Sequence, residues 1–322
     1  MGKIAVLASG GDGPGMNACL RSAVRAGLQA GFEVTGIRDG FEGLLHNRFE
    51  VLSRFSVSNI VQRGGCLLGS SRSAKFKTPE GRALAMQNLR SSGIDGLVAI
   101  GGNGTVAGCE ALAREHGLPI MVIPGSIDND VYGSEESVGF DTAANTALEA
   151  IDKIRDTAET LRRIFFVEVM GRESGQLALH VGLAAGADAI LIPELHEERE
   201  GLVRVVERAA TPHKRSTIVV VAEGETPGGA FAVAQAVCDS IQREFRVAVL
   251  GYIQRGGRPT VRDRTLAAEL GVASVEALRD GRPSSVVGRI QGQLALTPLA
   301  DSVGRFNQPG LEYLRLVDTL SR

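Results

Sequence analysis

In PGSIDND (residues 124–130), two aspartates two residues apart, Asp128 and Asp130, follow a buried apolar run and a Pro-Gly turn. One carboxylate at that spacing can accept a proton from a hydroxyl, while the second steadies magnesium or a neighbouring amide. An Asx-rich turn entering a helix accounts for the same residues. Upstream, GGNGT (101–105) follows the apolar run GLVAI and opens a helical pattern, which is the usual seat of a phosphate. Its central residue, Asn103, carries no charge, although transfer of a nucleotide's phosphate wants a carboxylate nearby to help hold magnesium. The stretch SGGDGPGMN (9–17) has P-loop spacing between Gly10 and Gly15, but Met16 and Asn17 occupy the Lys and Ser/Thr positions. Met16 also breaks the dinucleotide fingerprint. The backbone there can still cradle phosphate, with positive charge supplied from elsewhere; a plain strand-to-helix turn is the competing reading.

Arginines are placed where such charge is needed. Arg72 lies in GSSRS, Arg163 and Arg246 begin strands, Arg172 ends one, and Arg255 sits in a turn. Five guanidinium groups beside glycine loops suit bidentate capture of phosphates, one set for a nucleotide and another for a phosphorylated substrate. A second group, Arg21 and Arg25 on one helix face with Arg54, Arg155 and Lys214, outlines an anion site, against the alternative of scattered solvated arginines.

These residues must be positioned by regular elements, and the pattern supplies them. Strands are expected at 3–8, 33–38, 96–100, 120–123, 164–170, 189–192, 216–222 and 246–250. Helical patterns at 15–30, 79–92, 141–162 and 229–244 alternate with them. That order predicts an α/β protein with parallel sheets covered by helices on both faces, and ligands at the carboxyl ends of the strands. At 322 residues and 43% hydrophobic, the chain is long enough for two domains with real cores. The net charge of −2 gives no basic field for nucleic acid. No apolar run approaches the roughly 20 residues that span a bilayer, and the chain enters a strand at once without a signal peptide, so a cytoplasmic protein is expected. Cys19, Cys66, Cys109 and Cys238 lack paired spacing and read as thiols rather than a metal site or disulfide framework.

Taken together, SGGDGPGMN, RGGCLLGSSR, GGNGT, PGSIDND, VEVMGR and VLGYIQRGG resemble the bacterial ATP-dependent 6-phosphofructokinases in order and spacing, from residue 3 to about residue 290. The resemblance implies two interleaved Rossmann-like three-layer domains with mostly parallel sheets. Residues 1–138 plus 252–302 would bind nucleotide, and 139–251 plus 303–322 the sugar phosphate. It implies transfer from Mg-ATP to the 1-hydroxyl of fructose 6-phosphate, giving fructose 1,6-bisphosphate and ADP, the committed step of glycolysis. It also implies a homotetramer whose sites borrow residues from a neighbouring subunit. Carried over by position, Gly11, Arg72, Ser73, Gly102, Asn103, Gly104 and Thr105 would hold ATP, and Asn103 with Asp130 would face magnesium. Asp128 would be the base, and Arg172 would stabilise the transferred phosphoryl. Ser126, Ile127, Met170, Gly171, Glu223 and Tyr252 would shape the sugar site, while Arg163, Arg246 and Arg255 grip the 6-phosphate, the first two from a neighbouring subunit. Pyrophosphate-using relatives carry a second Asp in the glycine loop and a Lys before the TIDND-like motif; here Gly104 and Gly125 stand there, which favours ATP.

Two departures fall inside the expected site. The family has Asp at position 103, and Asn removes one charge beside the metal; a better Asn-Gly turn with the metal held elsewhere is the other reading. Tyr252 replaces a usual His and cannot become cationic. Both leave open a weakened paralogue that binds effectors and regulates an active partner. Arg21, Arg25, Arg54, Arg155, Gly186, Asp188 and Lys214 match the family's interface pocket for ADP or phosphoenolpyruvate, although Glu is commoner at 188 and Pro212 replaces a frequent Lys.

Overall fold

The structure, a computed structural model, describes residues 2–161, 163–195, 201, 203–204, 206–207, 216–224 and 227–320. Lys214 and Pro212 lie outside the described residues, as does the side chain of Cys238. The chain divides into two compact units, one of residues 1–126, 130–142 and 255–307, the other of 127–129, 143–254 and 308–322.

The first unit is built on a seven-stranded sheet. Its strands are β1 (Lys3–Ala8), β2 (Glu33–Ile37), β3 (Phe49–Leu52), β4 (Gly96–Gly101), β5 (Ile120–Pro124), β10 (Ser285–Ile290) and β11 (Gln293–Pro298), in the order β11-β10-β5-β4-β1-β2-β3. The five inner strands run parallel, whereas β3 and β11 pair antiparallel at the two edges. Alternation along β1 decides which face each side chain covers. Ile4, Val6 and Ala8 join one core with α1 (Met16–Gln29) and α8 (Val261–Arg279). Ala5 and Leu7 join the other, with α2 (Gly40–Leu45), α3 (Pro79–Ser91) and α4 (Asn103–His116). Both faces are therefore apolar and covered, as a parallel sheet requires.

The second unit carries a four-stranded parallel sheet, β7-β8-β6-β9, from β6 (Ile164–Val169), β7 (Ala189–Leu191), β8 (Thr217–Ala222) and β9 (Phe245–Val249). On one face Phe166, Val219 and Val221 pack with Ala230, Val233 and Val237 of α7 (Gly229–Ile241). Helices α5 (Phe140–Leu161) and α6 (Gln176–Ala184) precede and follow β6, and the short α9 (Leu299–Ser302) and α10 (Glu312–Leu320) end the chain.

In each sheet the chain reverses its direction of travel beside one central strand. In the first, β1 lies between β2 and β4; in the second, β6 lies between β8 and β9. Such switch points open a crevice at the carboxyl ends of the strands. The eight strands expected from the sequence are present within one residue at each end. The hairpin β10–β11 and the edge strand β3 were not expected, and they make the first sheet mixed. Among the described residues no helix is long and apolar enough to cross a membrane.

Candidate functional site

At the switch point of the first unit, three turns are stitched together by their backbones. The Ser9 N–H donates to Ile100 O at 3.0 Å, and the Gly10 N–H donates to Ser71 O at 3.3 Å. Ser70 Oγ donates to Gly10 O at 2.7 Å, and Thr105 Oγ1 donates to Ser9 O at 3.1 Å. Gly101 is needed for this approach, because a Cβ there would stand 2.2 Å from Thr105 Oγ1 and 2.5 Å from Ser9 O. The result gathers Gly11, the 70–73 loop and the 102–105 turn at the N-terminus of α4. That helix is 14 residues long, with no side-chain cap and no acidic residue in its first turn. Its leading N–H groups thus stand ready for an anion. Asn17 serves the same loop set: its amide donates to Arg63 O and Gly64 O, both at 3.1 Å, and accepts from the Leu67 N–H at 2.7 Å. Arg72 is exposed and Ser73 is buried, its Oγ accepting from the Phe76 N–H. Arg255, 17% exposed, lies 4.0 Å from Asp12 and packs against Gly11.

Asn103 meets Asp130, the aspartate expected to steady magnesium or a neighbouring amide, and the contact is a direct hydrogen bond. The Asn103 Nδ2 donates to Asp130 Oδ2 at 2.7 Å. Asp130 is held in turn through its backbone, whose carbonyl accepts from the Asn307 N–H at 3.1 Å. The Asn307 amide also donates to Val131 O at 2.9 Å and Ser134 O at 2.5 Å. One carboxylate and one amide are hard oxygen donors suited to magnesium, which takes few protein ligands and completes its shell with phosphates and water. Among the described residues no three His, Cys, Asp or Glu side chains gather as a metal cage. The pair fits an ion brought by a nucleotide better than a resident one.

Between the two aspartates, Asn129 has a left-handed backbone (φ 54°) and is buried against Gln176, whose Nε2 donates to Asn129 O at 3.2 Å. This kink lets Asp128 and Asp130 take different partners. Asp128 belongs to the second unit's set, its carboxylate 3.9 Å from Arg172 Nε and its carbonyl accepting from Ser174 Oγ at 3.0 Å.

In the same unit, the carboxyl ends of β6, β8 and β9 lead into Met170–Arg172, Glu223 and Gly251–Gln254. Gly171 (φ 142°) and Arg172 (φ 53°) hold uncommon backbone angles. The Arg172 N–H donates to Glu223 Oε1 at 2.8 Å, and a Cβ on Gly224 would stand 1.8 Å from Arg172 O. Tyr252 is 79% exposed, and Ile127 and Met170 are buried. Arg163 and Arg246 do not join this set. They sit at the opposite, amino ends of β6 and β9, where Arg163 pairs with Glu244 at 3.0 Å and Arg246 donates to Phe245 O. Of the residues read as an effector pocket, Arg155 donates to Ala185 O at 2.5 Å and Gly186 O at 3.1 Å. The Asp188 carboxylate accepts from the Ile218 N–H at 2.8 Å. Arg21 and Arg25 are half-buried on α1, the Nε of Arg25 buried without a hydrogen-bond partner, and Arg54 is exposed. Burial raises the Cys19, Cys66 and Cys109 thiols, which stay protonated near neutral pH and form no disulfide.

The phosphofructokinase family profile matches residues 3–278. Over 321 residues the chain is 50% identical to the ATP-dependent 6-phosphofructokinase 1 of Thermus thermophilus, covering 100% of both. The ATP-dependent 6-phosphofructokinase of Cytophaga hutchinsonii is 44% identical over 322 residues, covering 100% of this chain and 98% of the relative. The solved structure of phosphofructokinase from Saccharomyces cerevisiae has a TM-score of 0.87 at 36% identity, covering 94% of this chain and 45% of the yeast chain. A pyrophosphate-dependent phosphofructokinase from Marinobacter aquaeolei shares the fold with a TM-score of 0.84 at 22% identity, covering 98% and 91%.

Proposed function

The chain belongs to the phosphofructokinase family, and from that premise we propose how its residues divide the work. It is an enzyme that phosphorylates fructose 6-phosphate at the 1-hydroxyl with ATP, giving fructose 1,6-bisphosphate and ADP. The observation that carries the mechanism is the pairing of Asp128 with Arg172 at 3.9 Å on a turn whose backbone is pinned from several sides. Asp128 takes the proton from the attacking hydroxyl, and Arg172 meets the charge that develops on the moving phosphoryl. Gly11, Arg72, Ser73 and the Gly102–Thr105 turn cradle the nucleotide's phosphates. Asp130 and the Asn103 carbonyl would hold magnesium, which when bound neutralises phosphate charge. Ser126, Ile127, Met170, Gly171, Glu223 and Tyr252 shape the sugar site, and Arg255 takes the 6-phosphate.

Choice of donor follows from space. Apart from its chain neighbours and its own helix backbone, no atom lies within 4 Å of a Cβ built on Gly104, so an Asp fits there but fills volume and adds charge where a nucleotide's α-phosphate would sit. A side chain at Gly125 would press on Ile100 at 3.0 Å. Both positions favour ATP over pyrophosphate.

Arg163 and Arg246 lie at the far ends of their strands from Arg172. Six residues of strand at roughly 3.3 Å each separate Arg163 from Arg172 by about 20 Å. They would therefore serve the 6-phosphate of a neighbouring subunit in a homotetramer. The orphaned Nε of Arg25 supports an anion site on α1, with Arg21, Arg54, Arg155, Gly186, Asp188 and Lys214 assigned to an ADP or phosphoenolpyruvate pocket. A cytoplasmic location accords with glycolytic work. No observation favours a non-catalytic regulatory subunit. Aldolase-coupled detection of fructose 1,6-bisphosphate from ATP and fructose 6-phosphate tests the reading; absence of product at high magnesium would reject it.

A further inference from the structure

The turn Gly251–Arg255 alternates sharply in exposure. Tyr252 is 79% and Ile253 56% exposed, yet Gln254 between Ile253 and Arg255 is fully buried. A glutamine loses both hydration and side-chain entropy on burial and persists where its amide is matched. Here Nε2 donates to Gly251 O at 3.0 Å, closing its own turn, while Oε1 accepts from the Met170 N–H at 3.3 Å. Closing the turn needs only the donor. The acceptor reaches across to a different loop, 84 residues away, at the residue that opens the Met170–Arg172 turn.

The strain in that turn falls on Arg172, a non-glycine held at φ 53°, which persists only where neighbours over-determine it, while Gly171 at φ 142° takes an angle open to glycine. Glu223 holds the Arg172 N–H, the Ser174 N–H holds Gly171 O, and Gly224 lies beneath Arg172 O. Each of these acts at or after Gly171. Gln254 holds the turn on its leading side. We propose that Gln254 is a positioning residue for phosphoryl transfer: its buried amide fixes the Met170 N–H, and through it the left-handed placement of Arg172 beside Asp128. The inference rests on the assignment of Arg172 and Asp128 to transfer, and it names a residue that touches neither substrate.

Two variants test it. Gln254→Leu keeps the volume and removes both hydrogen bonds. Its kcat should fall about 10- to 100-fold, with KM for ATP within about twofold, as expected when a reacting group is displaced by an ångström or less. Gln254→Glu keeps the acceptor at all pH values and, when protonated, recovers the donor. Because the acceptor is what holds the Met170 N–H, Gln254→Glu should recover most of the kcat that Gln254→Leu loses, to within about threefold of the wild type, whereas a role confined to closing the Gly251 turn would leave its kcat following protonation of the donor. Circular dichroism melting measures the folded fraction of each. The inference is overturned if Gln254→Leu keeps kcat within twofold, or if its activity falls only in proportion to folded protein. Should Gln254→Leu fail to fold, a folded Gln254→Glu whose kcat lies about tenfold or more below the wild type overturns it equally. Wild-type turnover in the same assay separates this outcome from failure of the functional reading, which would remove activity from every sample.

Discussion

Asn103 shows how far a single residue can be read from its type. In the sequence it is a lost charge; in the structure it is also a donor that satisfies Asp130 at 2.7 Å. Asn103→Asp would set two carboxylates in near contact. At an effective dielectric of about 20 that repulsion amounts to a few kcal/mol unless a cation intervenes. The variant should melt lower than the wild type without magnesium and gain more from adding it. At saturating magnesium its turnover should rise on the order of tenfold to a hundredfold, since a pre-organised charge beside the phosphates is restored. Equal magnesium responses in melting and turnover would place the metal elsewhere. Asp128→Asn makes the complementary case. The backbone carbonyl that Ser174 grips is untouched, so the loop should keep its shape while the base is lost. Turnover should drop by roughly 10²–10⁴ with ATP affinity nearly unchanged; a variant keeping a tenth of wild-type turnover would remove Asp128 from that role. Motifs such as GGNGT and PGSIDND were legible because each follows a fully buried strand. Gln254 and Asn307 were not, because their value lies in partners 84 and 176 residues away.

The inner strands other than β10 were legible at the level of elements because their buried residues leave continuous runs such as GLVAI, whereas β10 (SVVGRI) is interrupted by Gly288 and ends in Arg289. The edge strands β3 and β11 were missed for the converse reason. In QLALTP most residues are exposed, including Leu294 at 53% and Leu296 at 42%, and no continuous apolar run marks them. Helix entries hold a second surprise. Asp263, in what reads as the polar start of α8, is buried and accepts from the N–H groups of Gly139 and Thr142 at 2.8 Å each and from Thr142 Oγ1. It thereby caps α5, the helix that follows the PGSIDND segment. Burial holds its carboxyl above the ordinary carboxylate range, outweighing these hydrogen bonds. With the folded pKa above the unfolded one, the native state binds more protons between the two, so stability falls as pH rises from about 4 through that window. Asp263→Asn should flatten this part of the pH–stability curve. At neutral pH it should cost about 1–3 kcal/mol, because one carbonyl oxygen replaces two acceptors. Melting across pH 3–8 checks both, and an unaltered slope would assign the pH response to other groups.

For the whole molecule, the decisive feature is that the residues assigned to transfer follow the carboxyl ends of strands while Arg163 and Arg246 lie at the amino ends of β6 and β9. If neighbouring subunits supply these arginines, an Asp128→Asn chain and an Arg163→Ala chain, each inactive alone, should complement when dissociated and reassembled together. Random mixing leaves about one site in four with both native residues, so about a quarter of wild-type turnover should return. No recovery from verified hybrids would mean that each chain is self-sufficient or that Arg163 has another task. The proposed reaction moves the terminal phosphate of ATP, and not that of pyrophosphate, to fructose 6-phosphate. Its most direct test is steady-state formation of fructose 1,6-bisphosphate with each donor supplied separately at high magnesium. ATP should support turnover, and pyrophosphate should support none above background. Turnover with pyrophosphate alone, or none with ATP, would contradict the claim.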